Sequence, residues 1–401
     1  MPRHDLYITV PNLFRCPISL DVMTSPMSLC TGVTYDRTSI QRWLDSGNNT
    51  CPATMQVLQT KDFVPNRNLQ RLIQIWSNSV ACRQLHAESV VVPSQDQVKI
   101  LVKQLDNGCI SALTKIVCFA RESEENREFL ARMDGFLNAV YDFMRNAEAD
   151  IKLIEQVVQI LDLMINKYLD KKKPLLESNC LSTIHLVLQI GSSDSKIQSV
   201  RLLESLAVDG ESKLKIAEKE GLLVELVKSL TKDNDPRLIE ASLSCLIAIA
   251  TRKRVKTKVI QSGTIPELKI LLSEPNMTTV SMIEKSLKLL ETLSSCKEGS
   301  VEIRHDSILL QAIVQRVLKV SSKATEHAVT ILWMVCYLFR EEEAVEAVVS
   351  GNGMTKILLL IQSNCSPAVR QMSADLLKIF GGNSKPCLSS YDTKTTHIMP
   401  F

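Results

Sequence analysis

The amino-acid sequence predicts a mainly helical protein: a small mixed α+β module comes first, and a long array of repeated helices follows it. Apolar residues make up 45% of the 401 residues, whereas aromatic residues make up 4% and only 13 residues are glycine. This composition favours helices over sheets. The pattern changes from mixed to almost continuously helical near residue 97. We therefore predict a module at residues 8–83, a polar linker at 84–96, an array at 97–381 and a tail at 382–401.

Two short helices are predicted within the module. Asp36 is a good N-cap and Gly47 a good C-terminal cap, so the residues between them are predicted to be helical. Ile40, Trp43 and Leu44 in this segment are spaced three and four residues apart, which predicts one apolar face. The second helix is expected after Asn66 as N-cap, with an apolar face made by Leu69, Leu72, Ile73 and Trp76. A loop headed by Cys-Pro stands on each side of the first helix.

The cysteines of the module raise the question of a metal site. A module with two zinc ions needs eight Cys or His ligands, and these usually come in close pairs. Between residues 5 and 82 the sequence has only Cys16, Cys30, Cys51 and Cys82, none of them in a C-x₂-C pair, and it has no histidine there. We therefore expect no metal and no cofactor, and we expect Cys16 and Cys30 to serve in packing.

The array repeats with a period of about 42 residues. Each unit has an apolar stretch, then a glycine, then an amphipathic helix, and the glycines are Gly135, Gly221, Gly263 and Gly353. Asn179 and Asp306 stand in the two intervening units, and we expect them to adopt the left-handed backbone in place of glycine. Such a period with two or three helices per unit resembles armadillo repeats, and a HEAT-like array is the nearest alternative.

Armadillo repeats that read nuclear-import signals carry a ladder of Asn and Trp on the third helix of each unit. The third-helix stretches at residues 233–251, 280–295 and 366–380 contain no Trp, and their one Asn, Asn234, stands in the polar turn before Pro236. We therefore expect no basic-peptide binding of that kind.

The module closely resembles the U-box. The segments that carry the resemblance are "FRCPISLDVMTSPM", "TGVTYDRTSIQRWL", "TCPATMQVL" and "FVPNRNLQRLIQIW". A U-box is a RING-like, zinc-free fold, and a U-box followed by an armadillo-type α-solenoid is typical of plant ubiquitin-protein ligases. The resemblance implies that the module recruits a ubiquitin-conjugating enzyme carrying a ubiquitin thioester, and that the armadillo groove binds the protein substrate.

The resemblance also assigns roles to individual residues. The surface that docks the conjugating enzyme is expected to include Ile18, Leu20, Trp43 and Pro52, although core packing alone is the alternative for Ile18 and Trp43. Scaffold roles are implied for Cys16, Pro17, Tyr35, Asp36, Arg37 and Asn66, with Arg37 as an ion-pair partner. No residue is expected to act as a covalent nucleophile.

One position departs from the family pattern. Many such ligases have a basic residue late in the second loop that bridges to ubiquitin, and Met55 stands there in this sequence. Methionine cannot donate a hydrogen bond, so either Gln56 substitutes for the missing donor or activation of the thioester is weaker.

Net charge and hydropathy argue against a nucleic-acid-binding protein and against a membrane-spanning protein. The net charge of +3 is too small to indicate a nucleic-acid partner. The N-terminus has no signal-peptide pattern, and no apolar run reaches the roughly 18 residues that a membrane helix needs, so we expect an intracellular protein of the cytoplasm, the nucleus or both. The basic run at residues 251–258 is predicted to be a solvated turn, with membrane-surface binding as the alternative.

Two functional hypotheses remain after the sequence analysis. The first is a ubiquitin ligase, for which the family resemblance implies a role in stress or defence signalling. The second is a non-enzymatic armadillo scaffold with an inactive U-box.

Overall fold

The computed structural model describes residues 11–73, 76, 92–105, 110–146, 150–165, 173–274 and 279–383. The chain divides into two compact units, Met1–Val91 and Val92–Phe401. Most of the predicted linker, and the tail from residue 384 onward, lie outside the described residues.

The first unit contains a three-stranded antiparallel sheet. Its strands are β1 (Pro26–Ser28), β2 (Thr34–Asp36) and β3 (Val64–Pro65), in the order β2-β1-β3. Met27 of β1 pairs with Tyr35 on one side and with Pro65 on the other. A 3₁₀ turn, Asn12–Phe14, precedes the sheet, α1 (Arg37–Asp45) follows β2, and α2 is described at residues 67–73 and 76.

Both helices of the first unit begin at the predicted caps. The backbone N–H of Thr38 donates to the carboxylate of Asp36 at the start of α1, and the backbone N–H of Leu69 donates to the side-chain oxygen of Asn66 over 3.1 Å. In α2, Leu69 and Ile73 are buried as expected. Leu72 differs from the prediction, because that side chain is 51% exposed.

The second unit is an array of helices with one continuous apolar core among its described residues. The helices are α3 (Gln95–Lys103), α4 (Ile110–Glu122), α5 (Glu124–Arg132), α6 (Phe136–Arg145), α7 (Ile151–Met164), α8 (Ser178–Ile190), α9 (Ser193–Leu206), α10 (Gly210–Glu218), α11 (Leu222–Lys228), α12 (Pro236–Ile249), α13 (Lys253–Gln261), α14 (Thr264–Ser273), α15 (Val280–Ser294), α16 (Lys297–Arg304), α17 (Ser307–Arg316), α18 (Ser322–Trp333), α19 (Glu342–Ser350), α20 (Gly353–Gln362) and α21 (Pro367–Asn383). A 3₁₀ turn, Lys173–Leu176, precedes α8, and a π-helical segment, Met334–Leu338, follows α18.

Within the array, the third helix of each repeat packs against the third helix of the next repeat. These third helices are α4, α7, α9, α12, α15, α18 and α21, and each consecutive pair is in contact. Glutamates join several of the pairs: Glu155, Glu240 and Glu284 accept hydrogen bonds from Ser192, Ser281 and Ser321, which stand at the start of the following third helix. Each repeat is therefore held by its neighbour, as in a solenoid.

Residues with a left-handed backbone conformation precede the second helix in several repeats. Gly135, Gly221 and Gly263 have φ values of 80°, 76° and 82°, as the repeat pattern predicts. In the last unit the left-handed residue is Asn352, with φ of 67°, and not Gly353.

The predictions for Asn179 and Asp306 are wrong. Asn179 lies inside α8. Asp306 has φ of −101° and caps α17 by accepting a hydrogen bond from the backbone N–H of Leu309. A side-chain cap satisfies a free N–H at the start of the helix, so no left-handed turn is needed there.

The basic run at residues 251–258 is also different from the prediction, because most of it forms the start of α13. Val255 points into the core with no exposed surface, while Arg252, Lys253 and Arg254 are exposed. The run is therefore the charged face of an amphipathic helix and not a turn.

Within the described residues, no single helix is both long and apolar enough to cross a membrane. The pair α19 and α20, bent by 74° at its break, reaches the required length and composition only when the two helices are taken together.

Candidate functional site

The two Cys-Pro loops of the first unit have the same backbone geometry. In the first loop, the N–H of Leu20 donates to the carbonyl of Cys16 over 2.8 Å, and in the second the N–H of Met55 donates to the carbonyl of Cys51 over 2.8 Å. Leu20 and Met55 both adopt the left-handed backbone, with φ of 62° and 59°. This conformation is unfavourable for large side chains, so both loops hold an apolar residue in a strained position.

Strand β2 anchors both loops through the cysteines that begin them. The backbone N–H of Asp36 donates to the sulfur of Cys16 over 3.3 Å, and the hydroxyl of Tyr35 lies 3.0 Å from the sulfur of Cys51. The Tyr35 hydroxyl also accepts a hydrogen bond from the N–H of Ala53 inside the second loop. Cys16, Cys51 and Tyr35 are fully buried.

The hydrogen bonds around the two thiols change their acidity. Burial alone would raise the pKa of Cys51, but hydrogen bonds from Thr31, Thr54 and Tyr35 outweigh it and bring the pKa to about 6. Burial likewise opposes ionisation of Cys16, and backbone N–H groups that include those of Ser19 and Asp36 lower its pKa on balance. Both sulfurs are therefore hydrogen-bond acceptors inside the fold, which is a more specific role than packing.

Asp36 joins the first loop to α1. One carboxylate oxygen accepts from the backbone N–H groups of Thr24 (2.8 Å) and Ser25 (3.0 Å), while the other caps α1 at Thr38. Burial would raise the pKa of Asp36, but these hydrogen bonds lower it to about 2. A charged, 93% buried carboxylate thus stands where the two elements meet.

Asn66 makes a similar junction between the sheet and α2. Its amide nitrogen donates to the hydroxyls of Ser28 and Thr34, each over 3.3 Å. Its oxygen caps α2 at Leu69. One side chain thus ties two strands to the start of a helix.

Trp43 connects α1 to the second loop. Its indole N–H donates to the carbonyl of Thr50, the residue before Cys51, over 2.9 Å. The ring is half-buried and packs against the core of the first unit. Part of the ring therefore contributes to packing and part remains available at the surface.

The other predicted docking residues, Ile18, Leu20 and Pro52, lie on the two loops together with the scaffold residue Pro17 and the predicted bridging position at Met55 or Gln56. Ile18 is 37% exposed, Leu20 is 65% exposed and Met55 is 72% exposed. Pro17 and Gln56 are exposed, and Pro52 is half-buried. Because the Ile18 side chain is this exposed, the alternative that it serves in core packing alone is disfavoured.

Two scaffold interpretations need correction. Arg37 is exposed and forms no ion pair with any described residue, so the carboxylate junction of this unit is made by Asp36 with backbone groups. Cys30 is exposed and is not a packing residue. In the part of the chain that the structure describes, no group of three or more His, Cys, Asp and Glu residues is arranged to hold a metal ion.

One feature of the two loops was not predicted from the sequence: Leu20 and Met55 are equivalent positions with the same strained backbone. The signal was present in the spacing, because both residues stand four positions after a Cys-Pro cysteine. In the second unit, Trp333 lies on the third helix α18, outside the three stretches in which an Asn/Trp ladder was looked for.

Comparison with known proteins agrees with this architecture. Residues 10–80 match the U-box domain, and residues 94–398 match the plant U-box protein ARM repeat region. The chain is 51% identical to U-box domain-containing protein 28 of Arabidopsis thaliana, over 100% of both chains. It is 24% identical to the E3 ubiquitin-protein ligase PUB23 of the same plant, over 96% of both chains.

Among solved structures, an engineered protein from a structural genomics consortium superposes with a TM-score of 0.57 at 17% identity. The match covers 71% of this chain and 68% of that protein, and it supports the fold alone.

The first unit is therefore a U-box, and the second is an armadillo-repeat array. The chain belongs to the plant U-box proteins with an armadillo-repeat region, within the U-box family of E3 ubiquitin-protein ligases.

Proposed function

We propose that this protein docks a ubiquitin-conjugating enzyme on the two Cys-Pro loops and promotes transfer of ubiquitin to a lysine of a protein substrate. The observation that carries the proposal is the pair Ile18 and Leu20, two large apolar side chains exposed on a loop that buried hydrogen bonds hold in place. Exposed apolar anchors on a rigid frame are typical of a binding surface.

The proposed catalytic contribution is positional. The conjugating enzyme carries ubiquitin as a thioester on its own cysteine. The substrate lysine amine attacks the thioester carbonyl, an isopeptide bond forms, the C–S bond breaks, and the cysteine of the conjugating enzyme leaves as its thiolate and takes up a proton. Holding the two reactants together converts a bimolecular encounter into an effectively unimolecular step. Within the U-box, the buried Cys16 and Cys51 serve the frame and form no bond to ubiquitin.

Autoubiquitination with purified activating and conjugating enzymes tests the proposal. We expect chain formation by the wild type and its loss in Ile18→Ala and in Trp43→Ala, because each variant removes part of the apolar contact. The matched control is Ile308→Ala, an exposed isoleucine on α17 of the array, which is expected to leave activity unchanged. Full activity in both U-box variants would overturn the docking assignment.

The same assay separates the ligase from the alternative, a non-enzymatic scaffold with an inactive U-box. Absence of product across a broad panel of conjugating enzymes, with the protein folded, would favour the scaffold. The exposed loop residues favour the ligase, because a U-box without a partner has no need for large apolar side chains in solvent.

Met55 is proposed as the position that faces ubiquitin. Since methionine cannot donate a hydrogen bond, we expect Met55→Arg to increase the rate of ubiquitin discharge to free lysine several-fold, through a charge-assisted hydrogen bond. Val57→Arg is the control, because it adds the same charge at an exposed position two residues away. Equal effects of both variants would assign the gain to charge alone, and no gain from Met55→Arg would remove the bridging role.

The armadillo array is proposed to bind the protein substrate, and the surface available for this is the exposed side of its third helices. We further propose a role in stress or defence signalling, and a place in the cytoplasm, the nucleus or both, as the family resemblance of the sequence implies. Expression of a tagged chain in plant cells, followed by fractionation, checks the compartment.

A further inference from the structure

The last third helix of the array, α21, buries only one of the two sides that the preceding third helices bury. Val369, Leu376 and Phe380 stand three, ten and fourteen residues after the N-cap Ser366, and each is at most 4% exposed. These positions share one side of the helix. On that side α21 is covered in the same way as the third helices before it, and it packs against α18 and α20.

The other side of α21 is open. Ala374 and Leu377, eight and eleven residues after Ser366, are only half-buried. In α7, α9, α12, α15 and α18 the residues at these two positions have no exposed surface, and they are Val158, Leu161, Val200, Leu203, Leu243, Leu246, Leu287, Leu290, Val329 and Leu332. Each of those helices packs against a following third helix, whereas α21 has none among the described residues. The open side of α21 is therefore where one more repeat would pack.

The second helix of the last repeat, α20, continues this open side. Leu358 stands six residues after the left-handed Asn352, and it is 42% exposed. The residue six positions after the left-handed Gly263 is Lys269 of α14, and its Nζ lies 2.8 Å from the carboxylate of Asp306 in the next repeat. That position of a second helix therefore faces the following repeat, and in α20 it holds an exposed leucine.

Two more apolar residues of α20 remain accessible. Leu359 is 53% exposed, and Ile361 is half-buried, although Leu272 at the equivalent position of α14 is 1% exposed. We give the name terminal face to Leu358, Leu359 and Ile361 of α20 together with Ala374 and Leu377 of α21. The terminal repeats of a solenoid need a polar outer surface for solubility, so an apolar terminal face indicates a surface that another segment covers.

Residues 384–401 are the segment of this chain that follows α21 directly. They lie outside the described residues, and their large apolar side chains are Leu388, Tyr391, Ile398, Met399 and Phe401. The match to the plant U-box protein ARM repeat region extends to residue 398, so most of the segment belongs to the same family region as the array. The segment is therefore the first candidate to cover the terminal face.

The segment is also long enough to reach all of the terminal face. The 17 residues of α21 make a helix about 25 Å long, whereas residues 384–398 reach roughly 50 Å when extended. Attachment to the end of α21 gives the segment an effective local concentration on the order of millimolar. A second copy of the chain at micromolar concentration therefore competes poorly for the same face.

We propose that residues 384–401 cover the terminal face and close the apolar core of the array, with apolar side chains of the segment packed against Leu358, Leu359 and Leu377. The inference concerns the end of the array and goes beyond the proposed ligase activity. Burial of these leucines drives the contact, because the segment removes their apolar surface from water. A segment of the chain itself then takes the place of one more repeat.

Photo-crosslinking of the full chain tests the proposal. Leu359→benzoylphenylalanine places a photoreactive group on the terminal face, at a side chain that is 53% exposed, so the change disturbs little packing. We expect irradiation to link residue 359 to peptides from residues 384–401, and mass spectrometry of the digested protein identifies them. Mixing chains of natural and heavy isotope content distinguishes a link within one chain from a link between two chains.

The matched control is Ile308→benzoylphenylalanine. Ile308 is also an exposed apolar residue of a second helix, but its helix, α17, belongs to an interior repeat. We expect no link from residue 308 to residues 384–401. Links from residue 359 chiefly to a second chain would assign the terminal face to a dimer and overturn the proposal. It would also be overturned by the absence of links to residues 384–401, or by equal linking from the control position.

Hydrogen exchange of the full chain gives a second measurement that needs no added group. The triple variant Ile398→Ser, Met399→Ser, Phe401→Ser is expected to exchange the amides of α20 and α21 about tenfold faster than the wild type, with no change in α12. The matched control replaces three polar residues of the same segment, as Ser389→Ala, Ser390→Ala and Thr395→Ala. Unchanged exchange in the serine variant, or an equal increase in the control, would contradict the proposal.

Discussion

In the U-box, buried polar side chains join separate elements by hydrogen bonds, whereas the armadillo array also buries a set of serines that make no such junction among the described residues. The carboxylate of Asp36 and the sulfur of Cys51 each accept several hydrogen bonds from separate elements. In the array, Ser199, Ser242, Ser286 and Ser373 are buried with no hydroxyl partner among the described residues. All four stand seven residues after the N-cap of a third helix, and consecutive third helices contact one another.

This difference between the U-box and the array follows from the size of their apolar cores. Eleven buried apolar side chains make up the described core of the U-box, while the array has one core that runs through all its described repeats. A small domain cannot gain enough from apolar burial, so specific polar junctions have to define its loops. In a solenoid each added repeat extends the same apolar core, so apolar burial can stabilise the array without such junctions.

The largest expected effect on stability comes from the array core. Leu246 on α12 has no exposed surface, so Leu246→Ala should lower the free energy of unfolding of the array by about 3 kcal/mol. Urea unfolding followed by circular dichroism measures the loss. A cost below about 1 kcal/mol would show that the array collapses around cavities more easily than its packing indicates.

A smaller effect, with a defined pH dependence, is expected from Asp36→Asn in the U-box. The folded pKa of about 2 lies below the ordinary 3.8, so the ionised form stabilises the fold by about 2 kcal/mol above pH 5. This contribution is lost as the pH falls through the folded pKa. The difference in unfolding free energy between wild type and Asp36→Asn should therefore be large at pH 7 and small near pH 2.

Urea titrations of both proteins at several pH values check this prediction. Asp235→Asn provides a comparison with a second helix cap, on α12 of the array, whose pKa is lowered chiefly by a hydrogen bond from Arg237 and not by a junction between loops. If the difference in unfolding free energy between wild type and Asp36→Asn does not change with pH, the prediction is contradicted, because the effect then comes from the shape of the side chain and not from its charge.

The smallest effect is expected from Ser242→Ala in the array. The change keeps a small side chain and removes a buried hydroxyl that has no described partner, so stability should change by less than about 1 kcal/mol, or increase. The same urea assay measures it. A loss comparable to that of Asp36→Asn would mean that the serines are polar junctions too, and the contrast between the two units would disappear.

Much of the fold could be predicted because its signals are local. The caps Asp36 and Asn66, the apolar stripe of α1 and the glycines at three repeat turns are each determined by neighbours within a few residues. The predictions of the repeat turns were wrong where one residue type is compatible with two local conformations. Asp306 caps its helix with a side chain and does not adopt a left-handed turn, and both outcomes agree with the same residue type.

The sequence by itself determined the order of the two units, the repeat period and the identity of the apolar loop residues, because composition and periodicity depend only on neighbouring positions. Only the tertiary structure decided that Cys16 and Cys51 accept hydrogen bonds from one strand, and that Arg37 stays outside the frame. The same holds for the placement of Trp333 beside Asp375, 42 residues away. Contacts between distant residues depend on how elements pack, and a single sequence does not record that packing.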